Sequence, residues 1–389
     1  MKPRAGSKAL IREINEALIL DMVRTQSPIS RARIAAQTGL SAASVTGITG
    51  RLIQAGLLVE AETVHGTGGR PARLLELGRH GVFAAGVRLS PTAAHAVVVD
   101  LRGGVVATHS EPLESGEPAE AAEAVARAVR AAAGGKLPKI IGVGVAVSGV
   151  VDQGSGFVRH SGAMGWAGVG LQRLLEEALD EAVVIDSYVN SYACGLLFDD
   201  AYKCREMLIF SVGTSLGAAV VVDGRIQRGF DGSAGGFAHS RAITGPGPAR
   251  ACHCGAEDCF ETRASLWGMQ RELERSGGIR EIDADADAHL IADAASHLGI
   301  GMANVAKVLG PEQVVVGFAP EADLGTFAGQ ARQAFLRQYD HANTPPPLVD
   351  TAAADHVELA RGAACSVLAG LFTARESLPN ESRPSSASA

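Results

Sequence analysis

His239, Cys252, Cys254 and Cys259 stand in the pattern H-x12-C-x-C-x4-C. One imidazole and three thiols at this spacing suit a closed tetrahedral Cys3His set of the kind that holds structural Zn2+. The alternative is a group of reduced thiols beside a surface histidine, and His253 offers a different fourth ligand. Such grouping among six cysteines points to metal or redox chemistry, not to a secreted disulfide framework. A second chemical signal is charge. Residues 1–80 hold 11 Lys and Arg against 6 Asp and Glu, while the rest of the chain holds 24 against 36. A basic head on an acidic body suits a nucleic-acid contact confined to the head, because phosphate neutralisation drives such binding.

The elements that must position the basic residues are legible in outline. Ile14, Leu18, Ile19 and Met22 recur at helical spacing and predict a first helix from Ile14 to Val23 with one buried face. Ser30 caps a short second helix with Ile34 and Ala35 inward, and Gly39 ends it in a left-handed turn. Ser41 then caps a third helix with Val45, Ile48, Leu52 and Ile53 on one stripe. Its opposite face carries Ala42, Ala43, Ser44, Thr46, Gly47 and Thr49, small side chains that let a backbone sit deep in a major groove. Gly47 and Gly50 weaken a helix interior, which a close approach to another surface would offset. The strand-like runs LLVEAE and TVHGTGGRPARLLEL surround a glycine-rich tip, the pattern of a wing, with Arg70 placed to enter a minor groove and Arg31 and Arg33 to hold phosphates. The residues expected to contact DNA are Ser30, Arg31, Arg33, Ser41, Ala42, Ala43, Ser44, Thr46, Gly47, Arg51 and Arg70. The same helices would also serve an oligomerisation cap or a peptide-binding winged helix.

From residue 81 the pattern changes to strands alternating with Ala-rich helices, including one near Ala119 to Ala133, which predicts α/β architecture. A second lobe begins near Met207. The expected division is a winged helix-turn-helix at 1–80, α/β lobes at 81–200 and 201–375, and a disordered Ser/Pro-rich tail at 376–389. Apolar runs are broken well short of membrane-spanning length, and the N-terminus carries Arg12, Glu13 and Glu16 where a signal peptide would be continuously apolar. A cytoplasmic, non-membrane protein is expected.

The segment from Ile14 to Glu60 followed by GTGGRPARLLEL resembles the DNA-binding head of the ROK family of repressors and sugar kinases. Asn15, Ser30-Arg31, Ala35, Thr38-Gly39-Leu40-Ser41, Val45, Leu52, Gly56-Leu57 and Gly69-Arg70-Pro71 match its regulator pattern. Kinases of the family lack this head, so the resemblance implies the regulator branch typified by xylose and N-acetylglucosamine repressors. It further implies a homodimer or homotetramer on inverted-repeat operators in double-stranded DNA, and a body with a two-lobed actin-like (ribonuclease-H-like) sugar-kinase fold. The cysteine cluster resembles the family's zinc site GH…CxCGxxGCxE, with a longer spacer and Asp258 in place of the last Gly.

Carried over residue by residue, the resemblance argues against phosphoryl transfer. The first phosphate loop of the family kinases reads Asp-Gly-Gly-Thr; here Arg88 stands at the Asp and Ser90-Pro91 in the glycine region, and proline offers no amide donor. Their Asn-Asp-x-Asn motif, whose Asp is the general base, becomes Ser187-Tyr188-Val189-Asn190, and an unperturbed tyrosine near ~10 is a poor base at neutral pH. The second phosphate loop reads GTSLG from Gly213 to Gly217, and the adenosine-side glycine pair is Gly317-Phe318. No catalytic residue is therefore assigned, and the reading is a regulator, probed against the alternative of an ATP-dependent sugar kinase with an appended head. Among sugar-contacting groups Asn190, His239 and Glu261 survive as candidate effector contacts, while Gly236 replaces a Glu. Glu261 reads equally as a helix-entry residue. With several hydrogen-bonding groups gone, whether a sugar or another small molecule is sensed stays open.

Overall fold

Ser30, Gly39 and Ser41 act as their chemistry dictates. In the computed structural model, which describes residues 8–61, 73–134, 139–202, 204–242, 248–340 and 345–373, α1 (Lys8–Gln26) leads through β1 (Ile29–Ser30) into α2 (Arg31–Thr38) and α3 (Ala42–Gln54). The Ser30 hydroxyl accepts from the Arg33 N–H and that of Ser41 from the Ser44 N–H, satisfying amides that the first turns leave unpaired. Gly39 closes α2 at φ 70°, a conformation that costs a side-chain-bearing residue far more than glycine. Strands β2 (Leu58–Glu60) and β3 (Leu74–Leu77) pair antiparallel, and β1 adds to the far edge of β3. Ile34, Val45, Ile48, Leu52, Leu58 and Leu75 fill the core beneath.

The first helix departs from expectation. Ala17, Ile19, Leu20 and Val23 are buried, whereas Ile14 and Leu18 are exposed. Apolar residues occupy more than one face of α1, and its packing against β3 and α3 selects the Ala17–Leu20–Val23 face. Arg70 and the tail at 376–389 lie outside the described residues.

Among the described residues two compact units emerge, one from the stretch up to residue 81 together with residues 368–373, the other within Val82–Val367. The second contains two five-stranded sheets built to one plan. In the first, β4 (Phe83–Leu89), β5 (Ala93–Asp100) and β6 (Val105–Pro112) form an antiparallel meander; β7 (Ile140–Val147) then joins β4 in parallel. A small sheet of β8 (Val150–Asp152), β9 (Phe157–Ser161) and β10 (Trp166–Val169) follows, and β11 (Val183–Ser187) pairs with β7. Helices α4 (Pro118–Ala133), α5 (Leu171–Leu179) and α6 (Tyr188–Leu196) complete this half.

The second sheet repeats the order. Strands β12 (Met207–Val212), β13 (Leu216–Val222) and β14 (Arg225–Gln227) form the meander, and β15 (Gln313–Phe318) and β16 (Leu348–Ala353) extend it in parallel from β12. It carries α7 (Glu261–Ala264), α8 (Leu266–Arg275), α9 (Ala288–Leu309) and α10 (Phe327–Tyr339), and α11 (His356–Phe372) follows β16. Near-continuous apolar runs in β7 and β12 are fully or mostly buried, as strands covered on both faces require. The backbone of α11 reaches the first sheet through glycine: a Cβ at Gly86 or Gly144 would collide with the carbonyl of Ala360 or Ala363. Both sheets thus belong to one unit, and residues 368–373 group with the head. Within that unit the two five-stranded sheets fall on either side of the expected boundary near residue 200, β4 to β11 before it and β12 to β16 after it.

Candidate functional site

The outer face of α3 is assembled from exposed Ala42, Ala43, Ser44, Thr46, Gly47 and Arg51. A Cβ at Gly50 would meet nothing within 4 Å, and at Gly47 only the end of Arg51 at 4.0 Å. These glycines therefore serve no packing within the described chain, unlike Gly86 and Gly144. Thr49, expected on this face, is instead fully buried: its hydroxyl donates to the Val45 carbonyl at 2.8 Å and accepts from Arg31 Nε at 3.0 Å. Its position one helical turn from Val45 and Leu52 puts it over the core edge. Arg31 also pairs with Glu60 at 2.9 Å, and Arg51 with Glu16 at 2.8 Å. Arg33 is exposed beside the Ser30 cap. The Glu60 carboxyl is held below its ordinary value chiefly by its hydrogen bonds from Arg73 and Arg31. Such surface pairs are weak, so a phosphate can take the place of the carboxylate.

The loop between β14 and α7 brings His239, Cys252, Cys254 and Cys259 together, with their ligand atoms all within 4.8 Å of one another. Bridges Arg241–Cys259 and Ala251–Glu257 fold the loop back on itself. A tetrahedral ion with bonds of about 2.3 Å to sulfur and about 2.0 Å to nitrogen separates two sulfurs by about 3.8 Å and sulfur from nitrogen by about 3.5 Å. Cys254 and Cys259 sulfurs are 3.7 Å apart, and the Cys252 sulfur lies 3.6 Å from His239 Nδ1. The donor set fits a metal ion. Burial pushes the thiols of Cys252 and Cys259 up, the latter to about 12, so a bound cation is what would hold them as thiolates. Asp258 stands at φ 55°, a conformation that glycine adopts most readily; its buried carboxylate accepts from the Arg250 N–H and from Arg263 Nη2 at 2.7 Å. His253, the alternative ligand, turns its Nε2 to Glu261 at 3.4 Å and packs edge-on to Trp267.

Between the two sheets, a cavity of about 140 Å³ is walled by His160, Tyr188, Gly236, His239, His253 and Glu261 among others. Glu261 is buried and accepts from the Leu216 N–H at 2.8 Å, so it ties the Gly213–Gly217 turn to the metal loop and lines the cleft at once. Helix entry and cleft contact are both its positions. Asn190 is not in the lining; its amide donates to Asp186 at 2.9 Å beneath the surface. The partner that draws Asn190 away from the cavity is Asp186, a residue that pattern reading passed over. Asp186 is 1% exposed and also accepts from Arg228 Nε at 2.8 Å and the Ser187 N–H, so this network joins β11 to the segment after β14.

Tyr188 occupies the floor of the cleft at the start of α6, against Gly217, where a Cβ would lie 2.6 Å from its hydroxyl. Burial, and then the negative charge of Glu261, push its phenol well above the ordinary tyrosine value. It cannot take a proton from a sugar hydroxyl at neutral pH. Arg88 stacks over the Tyr188 ring at 4.9 Å, and burial pulls it down to about 10, still a full cation at neutral pH. No carboxylate base or metal-binding acid therefore stands at these two positions.

A sequence profile described as the ROK family matches residues 84–365. The chain belongs to the ROK family. A xylose repressor from Caldicellulosiruptor bescii is 27% identical over 342 residues, covering 80% of this chain and 84% of the relative. The DNA-binding transcriptional dual regulator NagC of Escherichia coli K12 is 28% identical over 342 residues, covering 82% and 84%. The resemblance to that repressor branch is borne out. A crystal structure of a ROK family transcriptional regulator, a homolog of the E. coli MLC protein, superposes with a TM-score of 0.78 at 19% identity over 93% of this chain and 97% of the other. A ROK family glucokinase from Streptomyces griseus superposes with a TM-score of 0.62 at 22% identity over 72% and 98%. The α/β, actin-like sugar-kinase fold is thus established for the body. No helix among the described residues is long and apolar enough to cross a membrane.

Proposed function

We propose that this ROK protein is a DNA-binding transcriptional regulator, a repressor in mode, and not an enzyme. Its first unit reads as a winged helix-turn-helix in which α3 enters the major groove of an inverted-repeat operator, and Ser30, Arg31, Arg33, Ser41 and Arg51 hold the flanking phosphates, with Arg70 on the wing. The body senses a small molecule in the cleft lined by His239 and Glu261. It works in the cytoplasm as a homodimer or homotetramer, since an inverted repeat demands a two-fold axis. The Cys3His set holds structural Zn2+ that pins the loop beside the cleft. The observation that carries the reading is the outer face of α3. Its two glycines weaken a helix by about 1 kcal/mol each, and a Cβ would meet nothing at Gly50 and only the far end of Arg51 at Gly47, so a close external surface accounts for them.

Footprinting on the DNA upstream of its own gene, with and without a metabolite panel, tests the reading. A protected inverted repeat that one metabolite releases is the expected result. ATP turnover with a common hexose, or no protected site across a genome-wide binding map, would overturn it.

A further inference from the structure

Arg88 is a buried cation without a counter-ion. It sits on β4 with 8% of its surface exposed, and its guanidinium donates to the Leu89 and Ala146 carbonyls and to Ser148 Oγ. No carboxylate reaches it among the described residues, and its Nε–H is buried with no acceptor. Of the five N–H donors of an arginine, three are committed to neutral groups. Buried charges are ordinarily paired, because desolvation without a partner is expensive.

The space beside it is not filled. A second cavity, of about 400 Å³, opens on the other side of Tyr188 from the metal loop, walled by Arg88, Ser90, Thr92, Ser148, Thr214 and Ser215 among others. Several hydroxyl groups thus share the cavity wall with the guanidinium, Ser148 Oγ in contact with it. Two carboxylates line the cavity, Glu321 and Asp355. Glu321 is exposed and lies by the Thr214 hydroxyl at 3.5 Å; Asp355 caps α11 by accepting the Glu358 N–H at 2.8 Å. Solvent screens the exposed Glu321 and the Glu358 N–H holds the Asp355 carboxylate, whereas Arg88, only 8% exposed, is screened far less than Glu321. The buried group sets the preference of the site.

We propose that this cavity binds the oxyanion of a small metabolite, a carboxylate or phosphate ester, with Arg88 as its counter-ion and the surrounding hydroxyls as further donors. The sign of the charge is the argument. An Asp at this place would repel an anion unless a metal ion intervened, whereas Arg88 receives one directly and offers a planar set of donors matched to it. The proposal deepens the reading of the body as an effector domain and rests on it. It names the charge of the effector and the group that recognises it.

The test is thermal unfolding of the full chain followed by tryptophan fluorescence, titrated with a neutral aldose, its phosphate ester, its aldonate, and inorganic phosphate. The expected result is an upward shift of the midpoint with the phosphate ester or the aldonate, the two arms separating the two anion chemistries, and none with the neutral sugar. Arg88→Met should weaken the anion's apparent affinity on the order of 100-fold without lowering the unliganded midpoint, since an unpaired buried charge has been removed. Arg88→Lys, which keeps the charge and loses the planar donors, should bind at least several-fold more weakly than wild type. Equal responses to neutral and anionic sugars, no response to any anion at millimolar concentration, or wild-type affinity in the Lys variant would overturn the proposal. Failure of Arg88→Met to fold would also do so, by making Arg88 a structural cation. Operator binding is measured separately: an anion that binds through Arg88 yet leaves operator affinity unchanged keeps the site and removes the effector role.

Discussion

Cutting the Asp186–Arg228 pair should loosen the cleft, and the size of the effect can be worked from the geometry. Asp186 is 1% exposed while the Arg228 side chain is 30% exposed. In Arg228→Met the carboxylate loses its counter-ion but keeps the Asn190 amide, the Ser187 N–H and the longer bond from Gln153. Losing one partner of a fully buried pair costs about 3–5 kcal/mol. The partial exposure of Arg228 and the three surviving donors reduce this to about 2–3 kcal/mol. In Asp186→Asn with Arg228→Met no charge remains to be stranded, so the double variant should be less destabilised than the sum of the singles by about 1–2 kcal/mol. Both tryptophans, Trp166 and Trp267, belong to the second unit, so urea unfolding followed by their fluorescence reports that unit alone. A cost below about 0.5 kcal/mol for Arg228→Met, or strict additivity in the double variant, would refute the claim that this pair joins β11 to the segment after β14.

Other outcomes follow from the same structure. Gly47→Ala should raise stability by about 0.5–1 kcal/mol, because its helix face is open, while Gly47→Leu should leave the fold intact and weaken operator binding at least about tenfold in a mobility-shift titration. Treatment with a strong chelator should lower the tryptophan-reported melting midpoint, and Cys252→Ser should make that midpoint insensitive to the chelator. His95 is pulled down to about 4 by burial, then by His356 and Arg88, so the folded protein keeps it neutral where the unfolded chain protonates it near ~6.5. Its contribution is fully present above about pH 6.5 and lost as the pH falls towards 4. Because the ring is only half-buried, the loss is discounted to on the order of 1 kcal/mol. His95→Gln should flatten that part of the stability–pH curve measured by urea titration, relative to wild type.

Much of the candidate site was legible because its signals are short in sequence. The caps at Ser30 and Ser41 and the turn at Gly39 follow from a few neighbouring residues and stand where their chemistry demands. His239, Cys252, Cys254 and Cys259 are gathered within one loop, and a small donor set at close spacing has few other geometries. The face of α1 was misjudged because several faces of that helix carry apolar residues, and only its partners choose between them. Thr49 was misplaced for a related reason: a threonine at a stripe edge can satisfy its hydroxyl on the carbonyl one turn back and still be buried.

Composition and spacing by themselves pointed to a basic helical head on an α/β body and to a candidate metal-ligand set, and the family resemblance added the loss of the kinase groups at residues 88 and 188. Tertiary structure alone decided what those replacements became. Asp186 and Arg228 lie 42 residues apart, and nothing local marks them as partners or shows that Asn190 is spent between them. Arg88 is one arginine among many until the fold buries it at the wall of a hydroxyl-lined cavity and leaves its Nε–H without an acceptor. Charge is a property of the residue, but the absence of a counter-ion depends on every element that packs around it.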